Sequence, residues 1–424
     1  MADTLIAAID IGSSKVATAC AIESAEDAEL RIIGFNSTPS RGVRRGLIVD
    51  IDQVTASVEE SVEKAERMAG HKISEAFVSV GGPHISSLNS HGVVAVSSPQ
   101  GEIADEDVAR VIEAARAISL STTRQIIEVS PREYIVDGQA GIKNPVGMSG
   151  VRLEVDTHII TASSTNLKNI DRCLTDLGIG NSGFIFCGLA SSEAVLTDTE
   201  KELGVVLVDL GGGKIDLCLY VEGALSHSSS IPIGARHITN DIAVGLRVSL
   251  ESAERIKLYL TQELGKRAKE TEDKPLDKLN FADLHLPEKI DDVTFKTVIQ
   301  GIIQPRLEEI YKMIGEEIKQ SGYDKHIPSG VVITGGGALT VGMLEVGRRV
   351  LRLPIRLGNP QKVTGLLDEI LDPQYATTTG LILYGRQNII EDEVGIKKFN
   401  KILKDFKLGS SVGRVRSFIK QFIP

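Results

Sequence analysis

Short apolar runs of strand length alternate with longer stretches of helical period. Leu5–Ile9 and Val16–Ile22 are strand-like runs separated by a turn of small residues, which predicts strand, tight turn, strand. A helical period over Val54–Met68 is followed by a strand at Ala76–Val80 that stops at Gly81-Gly82-Pro83. Next comes a helix over Asp105–Ile118, bracketed by strand-like Val93–Val96, Gln125–Val129 and Arg152–Ile160. After an amphipathic stretch at Leu167–Leu177, the runs Val205–Val208 and Ile215–Val221 repeat the strand–turn–strand pattern around three glycines. A helix is predicted over Phe295–Lys319, then a strand at Val331–Thr334, a glycine turn, and a helix-like stretch over Leu339–Val350. Strands interleaved with helices throughout predict an α/β fold.

The two strand–turn–strand units are related. Asp10 and Asp209, Gly12 and Gly211, and Lys15 and Lys214 each stand 199 residues apart. Either turn alone reads as an ordinary β-turn. Together, at a half-chain spacing, they read as a pair facing one ligand. Glycine and serine let backbone N–H groups crowd an anion without interference from Cβ, which suits a polyphosphate. A carboxylate at the end of each leading strand suits Mg²⁺, which takes one or two carboxylates plus phosphates and keeps several waters. The third turn, Gly335-Gly336-Gly337-Ala338, lies between a strand and a helix, an arrangement that can contact a nucleotide. Neither GxxxxGK[ST] nor GxGxxG occurs, which argues against P-loop and Rossmann chemistry. Glu254 and Lys257 lie three apart on a predicted helix, a spacing that equally describes a solvated ion pair.

Composition narrows the classes. The 424 residues carry a net charge of −10, 4% aromatics and no tryptophan, which disfavours wholesale nucleic-acid binding. No run approaches about 20 apolar residues and the N-terminus has no signal-peptide pattern, so a cytosolic chain is expected. Cys20, Cys173, Cys187 and Cys218 are scattered without metal-ligand spacing and are expected to be reduced and buried. The basic cluster Arg41, Arg44, Arg45 reads as a solvated loop rather than an anion site.

The last segment inverts the overall charge: Lys397 to Pro424 carry eight Lys/Arg against one Asp. Val412, Val415, Phe418, Ile419, Phe422 and Ile423 fall on one helical face, with Arg414, Arg416 and Lys420 on the remainder. That combination predicts an interfacial helix on an anionic bilayer, with 401–411 as a linker. Packing on its own domain, or a disordered basic tail, is the competing reading.

These elements together resemble the actin, sugar-kinase and heat-shock ATPase superfamily, with two phosphate hairpins and an adenosine loop. Within it the chain is similar to the FtsA family of bacterial cell-division proteins. The similarity is carried by the stretch from Gly141 to Leu153, by Gly188-Leu189-Ala190-Ser191-Ser192, and by Ile231-Pro232-Ile233-Gly234 leading to Asp241-Ile242-Ala243. Pro39-Ser40-Arg41-Gly42 and Gly365-Leu366 fit as well. One position departs: Lys214 stands where that family's second loop has Thr or Ser.

The resemblance implies a two-lobed, actin-like fold of duplicated ribonuclease H-like domains. The first lobe would comprise 1–83, 163–203 and 362–400, with a family-specific inserted subdomain at 84–162. The second lobe would comprise 204–236 and 302–361, with its own insert at 237–301 and a loop over Lys266–Glu288. Gly12, Ser13, Ser14, Lys15 and Gly211, Gly212, Gly213, Lys214 would then contact the phosphates of ATP. Asp10 and Asp209 would hold Mg²⁺ through water. Gly335, Gly336, Gly337, Ala338 and Met343 would frame the adenine, with Glu254 and Lys257 at the ribose. The catalytic residue is left unassigned. The implied role is polymerisation at the division site, on the cytoplasmic face of the membrane. Implied partners are anionic lipids, later division proteins and the tubulin-like protein FtsZ through its C-terminal peptide, with no nucleic acid. Arg306 is a candidate for the FtsZ-docking face or a surface arginine. The alternative is a sugar-type kinase of the same superfamily, which would leave the basic amphipathic tail without a role.

Overall fold

The computed structural model describes residues 4–23, 30–267, 284–288, 290, 293–365 and 368–388. The expected linker, the terminal helix with its membrane-facing residues, and most of the loop over Lys266–Glu288 lie outside those residues. The chain divides into two compact units, 1–383 and 384–424. Of the second, residues 384–388 are described and are helical.

In the first unit, β1 (Thr4–Ile11), β2 (Lys15–Glu23) and β3 (Leu30–Pro39) form an antiparallel ribbon. A two-residue pair, β4 (Val43–Arg44) and β5 (Leu47–Ile48), leads to α1 (Ile51–Ala69). Asp50 caps α1 by accepting from Gln53 N at 3.1 Å, and Gly70 ends it in the left-handed region at φ 72°. The stripe Val54, Val58, Val62, Ala65 is buried and packs on β2 and β3. Contact is direct at Gly34, where a Cβ would lie 2.5 Å from Ala65 O. Strand β6 (Glu75–Val80) then runs parallel to β1.

Between β6 and the next parallel strand the chain builds a separate subdomain. Its elements are β7 (Ser86–Ala95), α2 (Asp105–Arg116), β8 (Arg124–Val136), β9 (Gln139–Ile142) and β10 (Arg152–Ser163), in the order β7-β10-β8-β9. Val111 and Ala115 of α2 pack with Tyr134, Val136, Leu153 and Val155 to give this insert its own core. The insert meets the second lobe through polar groups. His158 Nε2 lies 2.7 Å from Ser228 Oγ, Ser87 Oγ donates to Ser228 O at 2.6 Å, and nearby Gly82 N donates to Ser230 Oγ at 3.1 Å.

The first lobe resumes with α3 (Ser164–Asp176) and β11 (Gly180–Phe186), followed by α4 (Cys187–Val195) and α5 (Asp198–Leu203). The second lobe opens with β12 (Val205–Leu210), β13 (Ile215–Val221) and β14 (Ala224–Ile231). Helices α6 (Arg236–Leu246), α7 (Leu250–Arg267), α8 (Phe295–Val298) and α9 (Gln304–Gln320) come next, then β15 (Val331–Thr334), α10 (Met343–Leu351), β16 (Ile355–Leu357) and β17 (Thr364–Gly365). Residues 376–383 form α11.

The six-stranded sheet has the order β11-β6-β1-β2-β3-β17 and the five-stranded sheet the order β14-β13-β12-β15-β16. Each therefore contains three antiparallel strands followed by two parallel ones, in the same chain order. The repeat seen in the turns is a repeat of whole lobes. The central strands β1 and β12 are buried almost end to end, as expected for strands covered on both faces.

Two expected helices differ in detail. The Phe295–Lys319 helix is interrupted by a π turn at Ile299–Ile303, and α9 starts after it with Pro305 in its first turn. The Leu339–Val350 helix starts only at Met343, because Gly336–Leu339 is a 3₁₀ turn and Gly342 has φ 79°. All four cysteines are free and buried. Among the described residues, no helix is long and apolar enough to cross a membrane.

Candidate nucleotide site between two hairpin tips

The turns joining β1 to β2 and β12 to β13 are closed by the same bond. Gly12 N donates to Lys15 O and Gly211 N donates to Lys214 O, both at 3.0 Å. The tips face each other. Gly212 lies against the Ser14 side chain, and a Cβ on Gly213 would come within 2.7 Å of Ser13 Oγ. Ser13 Oγ in turn accepts from Gly46 N at 3.0 Å, so the β4–β5 turn closes one side. Arg41, Arg44 and Arg45 are exposed, as expected of a solvated loop, although Arg45 places its backbone over Gly213.

Each leading strand ends on a buried aspartate. Asp10 Oδ1 accepts from Ser79 Oγ of β6 at 2.7 Å, and Ser79 Oγ accepts from Ile11 N at 3.1 Å. Burial pushes the Asp10 carboxyl above the usual carboxylate range, against the lowering effects of the Ser79 bond and the nearby Lys214 and Lys15. Asp209 Oδ2 accepts from Ser191 Oγ of α4 at 2.6 Å and from Thr377 Oγ1 of α11 at 2.8 Å. Those helices cross so closely that a Cβ on Gly380 would strike the backbone of Ala190. Gly335, at φ 85°, is pressed onto Asp209 and the Leu210 carbonyl.

The two lysines that head the second strands are held differently. Lys15 Nζ donates to Gln374 Oε1 at 2.9 Å and lies 3.8 Å from the centre of the Tyr375 ring. Burial lowers its pKa to about 8, with Asp10 and Asp372 opposing. Lys214 forms a buried ion pair with Asp216 of β13.

On the second lobe, Lys257 Nζ donates to Glu254 Oε2 at 2.7 Å and to Thr239 Oγ1 of α6 at 3.0 Å. Lys257 is buried, while the Glu254 side chain is 45% exposed and open to a ligand. In the third turn Gly336 is exposed, whereas Gly337 is buried against Leu210 and Ala338 is buried in the core of the lobe. Met343 is 2% exposed and belongs to the core of the lobe, its carbonyl accepting from Tyr311 Oη at 3.0 Å. Arg306 is engaged in place, donating to Asp241 through Nε at 2.5 Å and Nη2 at 3.0 Å and pairing with Glu309.

The structure thus brings the residues of both hairpins, Asp10, Asp209 and Gly335 to one place. The triad Glu254, Lys257, Thr239 stands on the helices that follow β14. Sequence reading missed Ser79, Ser191, Thr377, Gln374, Tyr375 and Asp216. Hydroxyls at three places inside apolar stretches, Ser79, Ser191 and the run Thr377-Thr378-Thr379, are the available signal, since a buried hydroxyl needs a partner.

Known proteins match this chain along most of its length. A family model described as the SHS2 domain inserted in FTSA covers residues 82–161, and one described as cell division protein FtsA covers 206–380. The cell division protein FtsA of Escherichia coli K12 is 34% identical over 424 aligned residues, covering 98% of each chain. That of Pseudomonas aeruginosa is 37% identical over 383 residues, covering 90% of this chain and 89% of its own. That of Bacillus subtilis is 36% identical over 410, covering 96% and 90%. Among solved structures, a PilM–PilN type IV pilus biogenesis complex superposes with TM-score 0.60 at 14% identity, over 90% of this chain and 98% of that one. MreB5 of Spiroplasma citri bound to ADP superposes with TM-score 0.51 at 10% identity, over 92% and 98%. The fold is that of the actin-like ATPases, and the chain belongs to the FtsA family of bacterial cell-division proteins.

Proposed function

We propose that this cell-division protein binds ATP with Mg²⁺ between its lobes. One observation carries the reading: two glycine turns, closed by the same bond, meet tip to tip, each beside a buried aspartate. The donor set fits the ligand. Backbone N–H groups at Ser13, Ser14, Gly212 and Gly213 can donate to phosphate oxygens, while those of Gly12 and Gly211 close the turns, and Lys15 and Lys214 supply positive charge. Asp10 is a buried carboxylate whose ionised form needs a cation, as a water-mediated Mg²⁺ would provide. Bound Mg²⁺ would neutralise phosphate charge. Gly335 to Ala338 would lie beside the adenine and the half-exposed Glu254 beside the ribose. Support also comes from MreB5 of the same fold, whose structure holds ADP. Asp10→Ala combined with Asp209→Ala is expected to abolish Mg-ATP binding in isothermal titration calorimetry. Unchanged affinity overturns the assignment.

At the cellular level the proposed role is a polymer that tethers FtsZ to the cytoplasmic membrane and recruits later division proteins. Family membership and the basic amphipathic pattern at 412–424 support it. One short helix binds a bilayer reversibly, so many tails on one polymer give the tight attachment through avidity. Arg306 remains a proposed contact for the FtsZ peptide, through a guanidinium already held by Asp241. Electron microscopy on anionic lipid monolayers is expected to show filaments with Mg-ATP. Their absence, together with the absence of FtsZ recruitment to the monolayer, overturns this role.

A further inference from the structure

The stretch 372–377, where the chain enters α11, reaches all three parts of the candidate site. Gly335 N of the third turn donates to Pro373 O at 3.0 Å. Lys15 of the first hairpin is held by Gln374 and Tyr375, and Asp209 of the second accepts from Thr377 Oγ1. Gln374 also stands beside the third turn, since a Cβ on Gly336 would lie 3.5 Å from Gln374 Cβ. One side chain therefore bridges the first hairpin and the third turn. Its surroundings are fixed. Gln374 N donates to Asp372 Oδ1 at 3.0 Å, and the buried Tyr375 meets the Phe35 ring edge-on while its Oη donates to Glu369 Oε1 at 3.0 Å.

The kind of partner matters as much as its place. Lys214 is committed to Asp216, a full negative charge with which it is buried. Lys15 is held by an amide oxygen and the face of a ring, both neutral. Such partners fix an ammonium without cancelling its charge, whereas a carboxylate in the same place would cancel most of it in a poorly screened site. The carboxylates of Asp10, Asp372, Asp209 and Glu369 act on Lys15 through space, and of these Asp372 and Glu369 accept from Gln374 N and Tyr375 Oη. The cleft thus keeps one positive charge on a firm mount, in the field of the two aspartates that end β1 and β12. The ammonium complements phosphate oxygens and the aspartates call for a cation, so the arrangement suits a magnesium-bound polyphosphate.

We propose that Gln374 is a positioning residue of the nucleotide site, acting on the polyphosphate through Lys15, whose ammonium it fixes while leaving the charge available. The inference rests on the nucleotide reading above and deepens it. Calorimetric titration of the full chain with Mg-ATP tests it as a double-mutant cycle. Lys15→Met is expected to weaken binding about 30-fold, as for a lost hydrogen bond to a charged group, and Gln374→Met about fivefold. In the Lys15→Met background, Gln374→Met is expected to change affinity less than about twofold. Gln374→Glu is expected to weaken binding more than Gln374→Met does, although it offers Lys15 the stronger acceptor; a merely structural bond gives the opposite order. A Gln374→Met loss as large without Lys15 as with it overturns the inference, as does a folded Gln374→Met that binds like the wild type. Either result leaves the nucleotide reading standing. A wild type that does not bind Mg-ATP overturns the nucleotide reading and this inference with it. If Gln374→Met fails to fold by circular dichroism, Gln374→Glu decides against the wild type, and unchanged or tighter binding overturns the inference.

Discussion

The two lobes share a sheet order and a turn, yet they support the cleft differently. In the first, Asp10 is held by one hydroxyl from the neighbouring strand, Ser79. In the second, Asp209 is held by two hydroxyls from two helices, Ser191 and Thr377, which also lie 3.0 Å from each other. The additions differ in place too. The first lobe takes its insert between the parallel strands β6 and β11, whereas the second takes its extra helices between β14 and β15. A duplicated scaffold keeps the hairpin fixed because the cleft needs it, and accepts new structure wherever a connection leaves the sheet edge untouched.

The strongest test of the second lobe's support is Gly380→Val. A Cβ there meets the Ala190 backbone, which cannot move aside as a side chain would. The expected loss is about 3 kcal/mol or more by denaturant unfolding. The hydroxyls separate the lobes next. Ser79→Ala leaves Asp10 without its donor at a cost of about 1–3 kcal/mol. Either Ser191→Ala or Thr377→Ala alone is expected to cost less, because the other hydroxyl remains on Asp209. Their double mutant should exceed the sum of the singles.

A pH test follows for His158, which joins the insert to the second lobe. Burial lowers its folded pKa to about 3, with His227 and Arg132 acting in the same direction. The unfolded chain binds that proton near 6.5, so its contribution to stability is complete above that pH and falls as pH drops towards 3. At pH 5 the loss attributable to this residue is about 2 kcal/mol. Comparing wild type with His158→Gln in guanidinium at pH 7 and pH 5 checks it, since the variant lacks this part of the slope. The smallest effect concerns the helices preceding the parallel strands. α1 begins on a side-chain cap, whereas α9 continues from a π turn without one. Asp50→Ala is expected to cost about 1 kcal/mol.

Much of this was legible in the sequence, because hairpins are local. Strand period, glycine turn and carboxylate all fall within a dozen residues, so the repeat of Asp10 to Lys15 at Asp209 to Lys214 marked both tips and the two-lobed plan. The groups that hold the aspartates and Lys15 were not legible. Ser79, Ser191, Thr377 and Gln374 reach them from other elements, across separations of up to 359 residues, where no period links donor to acceptor. The start of α10 was misread for a different reason. The apolar spacing of Leu339–Val350 continues through Gly342, while the backbone there turns left-handed and restarts the helix.

The seam between insert and second lobe has a mechanical consequence. Hydrogen bonds cross it at Ser87, His158 and Ser228, and beside it between Gly82 and Ser230, using hydroxyls, an imidazole and backbone groups, and Arg132 of the insert lies over the Tyr323 ring. Such groups exchange one hydrogen bond for another with water at small net cost, whereas an apolar joint would expose greasy surface on parting. Because the insert is spliced into one lobe and leans on the other, a movement of one lobe against the other would have to exchange these hydrogen bonds.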